Sequence, residues 1–124
     1  MESTEKIKNY KDLVVWQKGM ELVKNIYQLT NEFPKKEIFG LTIQMRRASV
    51  SVPSNIAEGQ ARHYTREFMQ FLYQALGSLS ELETQIIIAK ELNYISASKE
   101  FEIDNQIIEL KKMICGLVRG LPAD

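Results

Sequence analysis

Four stretches of this 124-residue chain repeat apolar residues at the three-and-four spacing of an α-helix, and only short polar breaks separate them. In the first stretch Trp16, Met20, Val23 and Tyr27 form one stripe and Leu22, Ile26, Leu29 and Phe33 another. The second carries Ile38, Leu41, Met45, Ala48, Val52 and Ile56. The third carries Phe68, Leu72, Ala75, Leu79, Leu82, Ile86 and Ala89, and the fourth Ile103, Ile107, Leu110, Ile114, Leu117 and Leu121. No stretch sustains the strict alternation of a strand. The pattern predicts helices over about 13–33, 37–58, 66–92 and 97–121. Asp12 suits an N-cap or a first-turn acid, Thr65 an N-cap, Ser96 or Ser98 the cap of the last helix, and Gly59 a C-cap. Pro34 ends the first helix, because the residue before a proline is pushed out of the α region, and Pro122 ends the last. Gly19, inside the first helix, costs about 1 kcal/mol against alanine and suits a close helix contact. Connections this short leave neighbours antiparallel. The expected fold is all-α: an antiparallel up-down-up-down four-helix bundle, one domain over 1–124, with residues 1–11 frayed.

One residue breaks the local rule. Pro53 lies within the second stripe, lacks the N–H that would bond the Ser49 carbonyl, and clashes with that carbonyl. The stripe resumes in phase at Ile56, so the second helix is expected to be kinked near Pro53 rather than broken.

Several functional classes are excluded by what the chain lacks. No apolar run approaches the roughly 18 residues that span a bilayer, and the polar start is no signal peptide. A single cysteine, Cys115, forms no internal disulfide, which fits the cytoplasm. One cysteine and one histidine supply no zinc set, the paired Glu-x-x-His of di-iron bundles is missing, and there is no P-loop, GxGxxG or GxSxG. An enzyme built on Arg47 and Glu58 would need a reacting constellation that the sequence does not offer. The expectation is no catalysis, no cofactor, no metal and no membrane contact.

Apolar residues also recur where a bundle core does not need them. Ile43, Val50 and Ala57 repeat every seven residues off the main stripe, as do Phe101, Ile108 and Cys115; Met69, Tyr73, Leu76 and Ile87 flank the third stripe. These are either the margins of a wide core with ordinary exposed residues, or faces buried between subunits. The second reading is favoured, because wet stripes would make one contiguous apolar patch, and Ile43, Val50, Phe101 and Ile108 are the interface candidates.

Net charge is zero, but residues 35–66 carry Lys35, Lys36 and four of the five arginines against Glu37 and Glu58, a balance of +4, while residues 67–124 carry −4. Arg46, Arg47, Arg62 and Arg66, with Tyr64 and His63 among them, offer guanidinium groups to phosphates and rings to bases. They are candidates for contact with RNA or DNA. Pairing with the acidic second half competes with that reading and weighs slightly more from the residues alone. Gln44, Arg47, Ser51, Asn55 and Glu58 fall on one helical seam around Pro53 and Gly59. A buried hydrogen-bond network with Arg47 and Glu58 as charged ends, and Ser51 and Asn55 serving the carbonyl freed by Pro53, is favoured over a ligand pocket. Trp16 reads as a core anchor, His63 as exposed and Cys115 as an apolar filler.

The strings DLVVWQKGMELVKNIYQLT, GLTIQMRRASVSVPSNIAEGQAR, EFMQFLYQALGSLSELETQI and ELNYI resemble the 23S rRNA intervening-sequence proteins over nearly the whole chain. That resemblance implies a bacterial antiparallel four-helix bundle that forms homopentamers and has no family-wide enzymatic activity. It implies kinship with accessory proteins of diversity-generating retroelements, in which a basic pentamer surface meets nucleic acid and the reverse transcriptase. This chain departs from that type in being neutral. The family motif falls on Arg47, Ser51, Pro53, Asn55, Glu58, Gly59 and Arg62. The expected function is a homo-oligomeric, pentameric scaffold or adaptor whose basic segment contacts RNA or DNA. The alternative is a protein-only module that docks a partner enzyme.

Overall fold

A computed structural model describes residues 9–122. They form four helices, α1 (Val14–Thr30), α2 (Leu41–Gln60), α3 (Thr65–Glu91) and α4 (Ala97–Gly120), with 3₁₀ turns at Tyr10–Asp12 and Lys35–Glu37 and no strand among the described residues. The fraying expected for 1–11 lies outside the described residues as far as residue 8. Asn9 caps the Tyr10–Asp12 turn, so Asp12 precedes α1 rather than capping it.

The main stripes make the core. Leu22 and Ile26 of α1, Met45, Val52 and Ile56 of α2, Leu72, Leu79, Leu82 and Ile86 of α3, and Ile107, Leu110 and Ile114 of α4 are buried. Neighbouring helices run in opposite senses. Gly19 of α1 faces Pro53 of α2 while Thr30 faces Arg46. Ser51 of α2 meets Ser78 of α3 while Gly59 meets Phe68 and Phe71. Glu83 of α3 pairs with Lys111 of α4 while Ile87 lies beside Phe101, and Lys18 of α1 pairs with Glu109 while Leu29 lies beside Ile103. The helices therefore succeed one another around the bundle, and α2 continues through Pro53 without a break.

The helix ends differ from the sequence reading for local reasons. α1 stops at Thr30, not Phe33: the Thr30 hydroxyl donates to the Ile26 carbonyl at 2.7 Å, and the N–H groups of Glu32 and Phe33 take three-residue bonds to Leu29 and Thr30 ahead of Pro34. α2 begins at Leu41, not Glu37. The Glu37 carboxylate accepts the Leu41 N–H at 3.1 Å, satisfying one orphan donor of the first turn. Ile38 thus falls outside the helix and is exposed. Thr65 is the first residue of α3, with Tyr64 at the cap position and no side-chain bond, whereas Ser96 caps α4 by accepting the Lys99 N–H. Gly59 is not a C-cap, because α2 runs one residue past it.

The turn between α3 and α4 closes with Asn93 at φ 63°, the left-handed region asparagine tolerates. The Asn93 N–H bonds the Lys90 carbonyl and the Tyr94 N–H bonds that of Ala89, a Schellman closure. Tyr94 then lies beside Phe33 and donates its hydroxyl to Glu37 Oε2 at 2.7 Å. Glu37 thereby ties the start of α2 to the segment that leads into α4, and the two helices begin at the same end of the bundle. The Tyr94 hydrogen bond, then that of Leu41, holds the Glu37 carboxyl below its ordinary pKa. A depressed carboxylate pKa stabilises the fold at neutral pH, and that contribution is lost as pH falls through the folded value. Tyr94→Phe is therefore expected to lower Tm at pH 7, and the gap from the native chain should narrow in acid. Melting curves across pH check this; a gap independent of pH would contradict it.

Candidate nucleic-acid interface and apolar faces

The arginines that cluster in sequence do not form one site. α2 rises about 1.5 Å per residue, so Arg46 and Arg62 stand roughly 24 Å apart. Arg46 turns back onto α1: its guanidinium donates to Thr30 Oγ1 and Asn31 Oδ1, both at 2.9 Å, and lies 4.5 Å from the centre of the Tyr27 ring. It is a helix–helix fastener. Arg47 is exposed on the outer side of α2. Arg62 pairs with Glu58 at 3.0 Å and covers the Phe71 ring at 4.8 Å. Beyond it the α2–α3 turn presents His63 and Tyr64, edge to face at 4.6 Å and both exposed, followed by exposed Arg66. Of the nucleic-acid candidates, the structure gathers Arg62, His63, Tyr64 and Arg66 at one end of the bundle and leaves Arg46 and Arg47 nearer the other.

The polar seam is smaller than the sequence suggests. Ser51 shares a 2.7 Å hydrogen bond with Ser78 of α3, and Asn55 donates to Ser51 Oγ and to the Ser51 carbonyl. Asn55 thus serves the Ser51 carbonyl rather than the one freed by Pro53. Gln44, Arg47 and Glu58 are exposed, and Glu58 is taken by Arg62, so they are not charged ends of a buried network. What remains is a half-buried clip that sets α2 against α3. Nothing in the sequence singles out Ser78, because its role depends on the α2–α3 register.

The extra apolar stripes of α2 and α4 face outward, whereas the set on α3 is split: Tyr73 and Ile87 are exposed, Met69 is half-buried and Leu76 packs against the core. Tyr27, Ile43 and Val50 line a shallow groove with Arg46, Arg47 and Ser51. Val50 continues into a second groove with Trp16, Met20, Val23, Pro53 and Ala57. Trp16 packs against the margin of the core and is half-buried, with its ring against Tyr10 at 5.4 Å and one side on this groove. One apolar face thus follows the outer seam of α1 and α2. Across the bundle, Ile86, Ile87 and Phe101 share a cleft with Glu83, Glu100 and Asp104. Phe101 is 70% exposed, Val50 40% and Ile108 37%, while Ile43 is half-buried. Cys115 is free and half-buried. Neither face is covered within the subunit.

Among the described residues no three His, Cys, Asp or Glu side chains converge where a metal ion could be held, and no helix is long and apolar enough to cross a membrane. The model of the 23S rRNA-intervening sequence protein family matches residues 11–116. No curated protein matches the chain. Among solved structures, it is similar to a protein of unknown function from the S23 ribosomal protein family of Bacteroides thetaiotaomicron. The TM-score is 0.77 at 23% identity, covering 85% of this chain and 98% of that one. At that identity the likeness shows the fold.

Proposed function

Because this chain belongs to the 23S rRNA-intervening sequence protein family, we propose that it is a cytoplasmic, non-catalytic homo-oligomer, a ring of five that serves as a scaffold or adaptor and touches RNA or DNA through its basic turns. The observation that supports assembly is the pair of apolar faces on opposite sides of the bundle, with Phe101 on one and Val50 on the other left open to solvent by the subunit's own fold. A contiguous apolar face of this kind marks an association surface. Two different faces suit a head-to-tail contact, which closes into a ring when its rotation permits. The five-fold number rests on the family resemblance. In a ring, each Arg62–His63–Tyr64–Arg66 turn is repeated on the same side, so weak phosphate contacts act together.

That multiplication is the test. A labelled single-stranded RNA and its DNA counterpart are titrated at low salt with the native chain and with Val50→Glu, which places a charge on the apolar face and leaves the basic turn intact. Linked sites gain roughly 10²–10⁴-fold in avidity, so the variant should bind weaker by about that factor. The native chain should lose affinity with salt at roughly −0.7 to −0.9 per phosphate contact on a log–log plot. Equal binding by the two proteins would contradict the scaffold reading. The neutral total charge and the capture of Arg62 by Glu58 favour a second reading, a module that docks only a partner protein. Absence of binding at low salt would select it.

A further inference from the structure

We infer that the outer ridge of α2 in one subunit, Ile43, Val50 and Ala57 with Arg47, packs against the outer ridge of α4 in the next, Phe101, Ile108 and Cys115 with Glu100 and Asp104, so that Phe101 enters the groove between Tyr27, Ile43 and Val50. The inference rests on the self-association proposed above and names the two surfaces that meet.

Level, spacing and charge support this pairing. Both ridges repeat every seven residues, and both helices begin at the end fixed by the Glu37–Tyr94 bond. At about 1.5 Å per residue, Ile43, Val50 and Ala57 lie roughly 3, 14 and 24 Å below the start of α2, and Phe101, Ile108 and Cys115 roughly 6, 17 and 27 Å below the start of α4. The two ladders keep a constant offset of about 3 Å, so subunits with parallel axes can mate all three rungs. A contact made at nearly equal height has little rise along the axis, which favours a closed ring over a filament.

Charge follows the same register. The α1–α2 groove carries Arg46 and Arg47, while the α3–α4 cleft carries Glu83, Glu100 and Asp104. Arg46 is held by Tyr27, Thr30 and Asn31, and Glu83 by Lys111 at 2.8 Å, which leaves Arg47 opposite Glu100 and Asp104. Arg47 falls roughly 9 Å down its helix, between Glu100 at roughly 5 Å and Asp104 at roughly 11 Å. Within a lone subunit, burial and then the like charge of Glu83 raise the Asp104 pKa. A guanidinium from the neighbour would relieve that carboxylate.

Two variants that each lose one face decide the matter. Val50→Glu spoils the α2 ridge and keeps the α4 ridge; Phe101→Glu does the reverse. By sedimentation velocity each alone should run as a monomer, and an equimolar mixture should form a dimer through the one intact pair of faces. A mixture that stays monomeric, or either variant alone associating, overturns the pairing while the assembled native chain leaves the oligomer reading standing. A native chain that is itself monomeric overturns both. Should either glutamate unfold the subunit, charge exchange reads the same contact. Arg47→Glu and Asp104→Arg should each dissociate the assembly, and the two together in one chain should restore it. Failure of the double variant to regain the native mass overturns the pairing.

Discussion

Leu79→Ala is expected to lower the stability of the subunit by about 3 kcal/mol, within the range of buried leucine truncations. Leu79 is wholly buried on α3, between Ala75 and Leu82 of the same stripe. Its neighbour Ser78 is clipped to Ser51 at 2.7 Å, so α2 and α3 are held apart at the level of the lost side chain. A void there collapses poorly, and the cost of a truncation grows with the cavity that remains. Urea unfolding should show the midpoint falling with the slope unchanged, and Tm should drop by roughly 10 °C. A loss below about 1 kcal/mol would mean that the four stripes do not share one close-packed core.

Gly59→Ala should cost about 2 kcal/mol, although alanine is the better helix former by about 1 kcal/mol. A methyl group at Gly59 would lie 2.6 Å from Phe71 Cβ and 2.9 Å from Phe68 Cδ1, with the Phe68 carbonyl at 3.3 Å. α3 begins only a few residues later and folds straight back over this point, so there is little room to yield. Gly77 makes the natural control: nothing lies within 4 Å of its added methyl, and Gly77→Ala should stabilise by up to about 1 kcal/mol. The same chemical change should therefore act with opposite sign at two helical glycines, as read by chemical denaturation of both variants. Stabilisation by both would refute the close α2–α3 approach.

The periodicity of the sequence carried the helices and most of the core, because a stripe such as Leu72, Leu79 and Ile86 on α3, repeating every seven residues, has only one way to leave water. Ends were less legible. Glu37 looks like a helical residue in the sequence and is instead the acceptor in front of the helix, a role visible only once Leu41 and Tyr94 are brought to it. Gly59 carries the mark of a C-cap, yet its small size serves the approach of Phe68 and Phe71. The candidate site suffered most. Arg46 and Arg62 are close in the sequence and share a sign, but one helix separates them, and each finds local partners in Tyr27, Thr30 and Asn31 or in Glu58 and Phe71. The outward-facing ridges were readable, since Val50 and Phe101 lie off the main stripes at helical spacing. The acidic cleft beside Phe101 was not, because Glu83 comes from another helix.

The faces around Val50 and Phe101 are either wet in solution or covered by neighbouring subunits. Sedimentation velocity of the purified chain, diluted stepwise through the micromolar range, measures this directly. The expected result is one boundary at several times the 14.3 kDa subunit mass, five-fold for the ring. A boundary at the mass of one subunit throughout would contradict it.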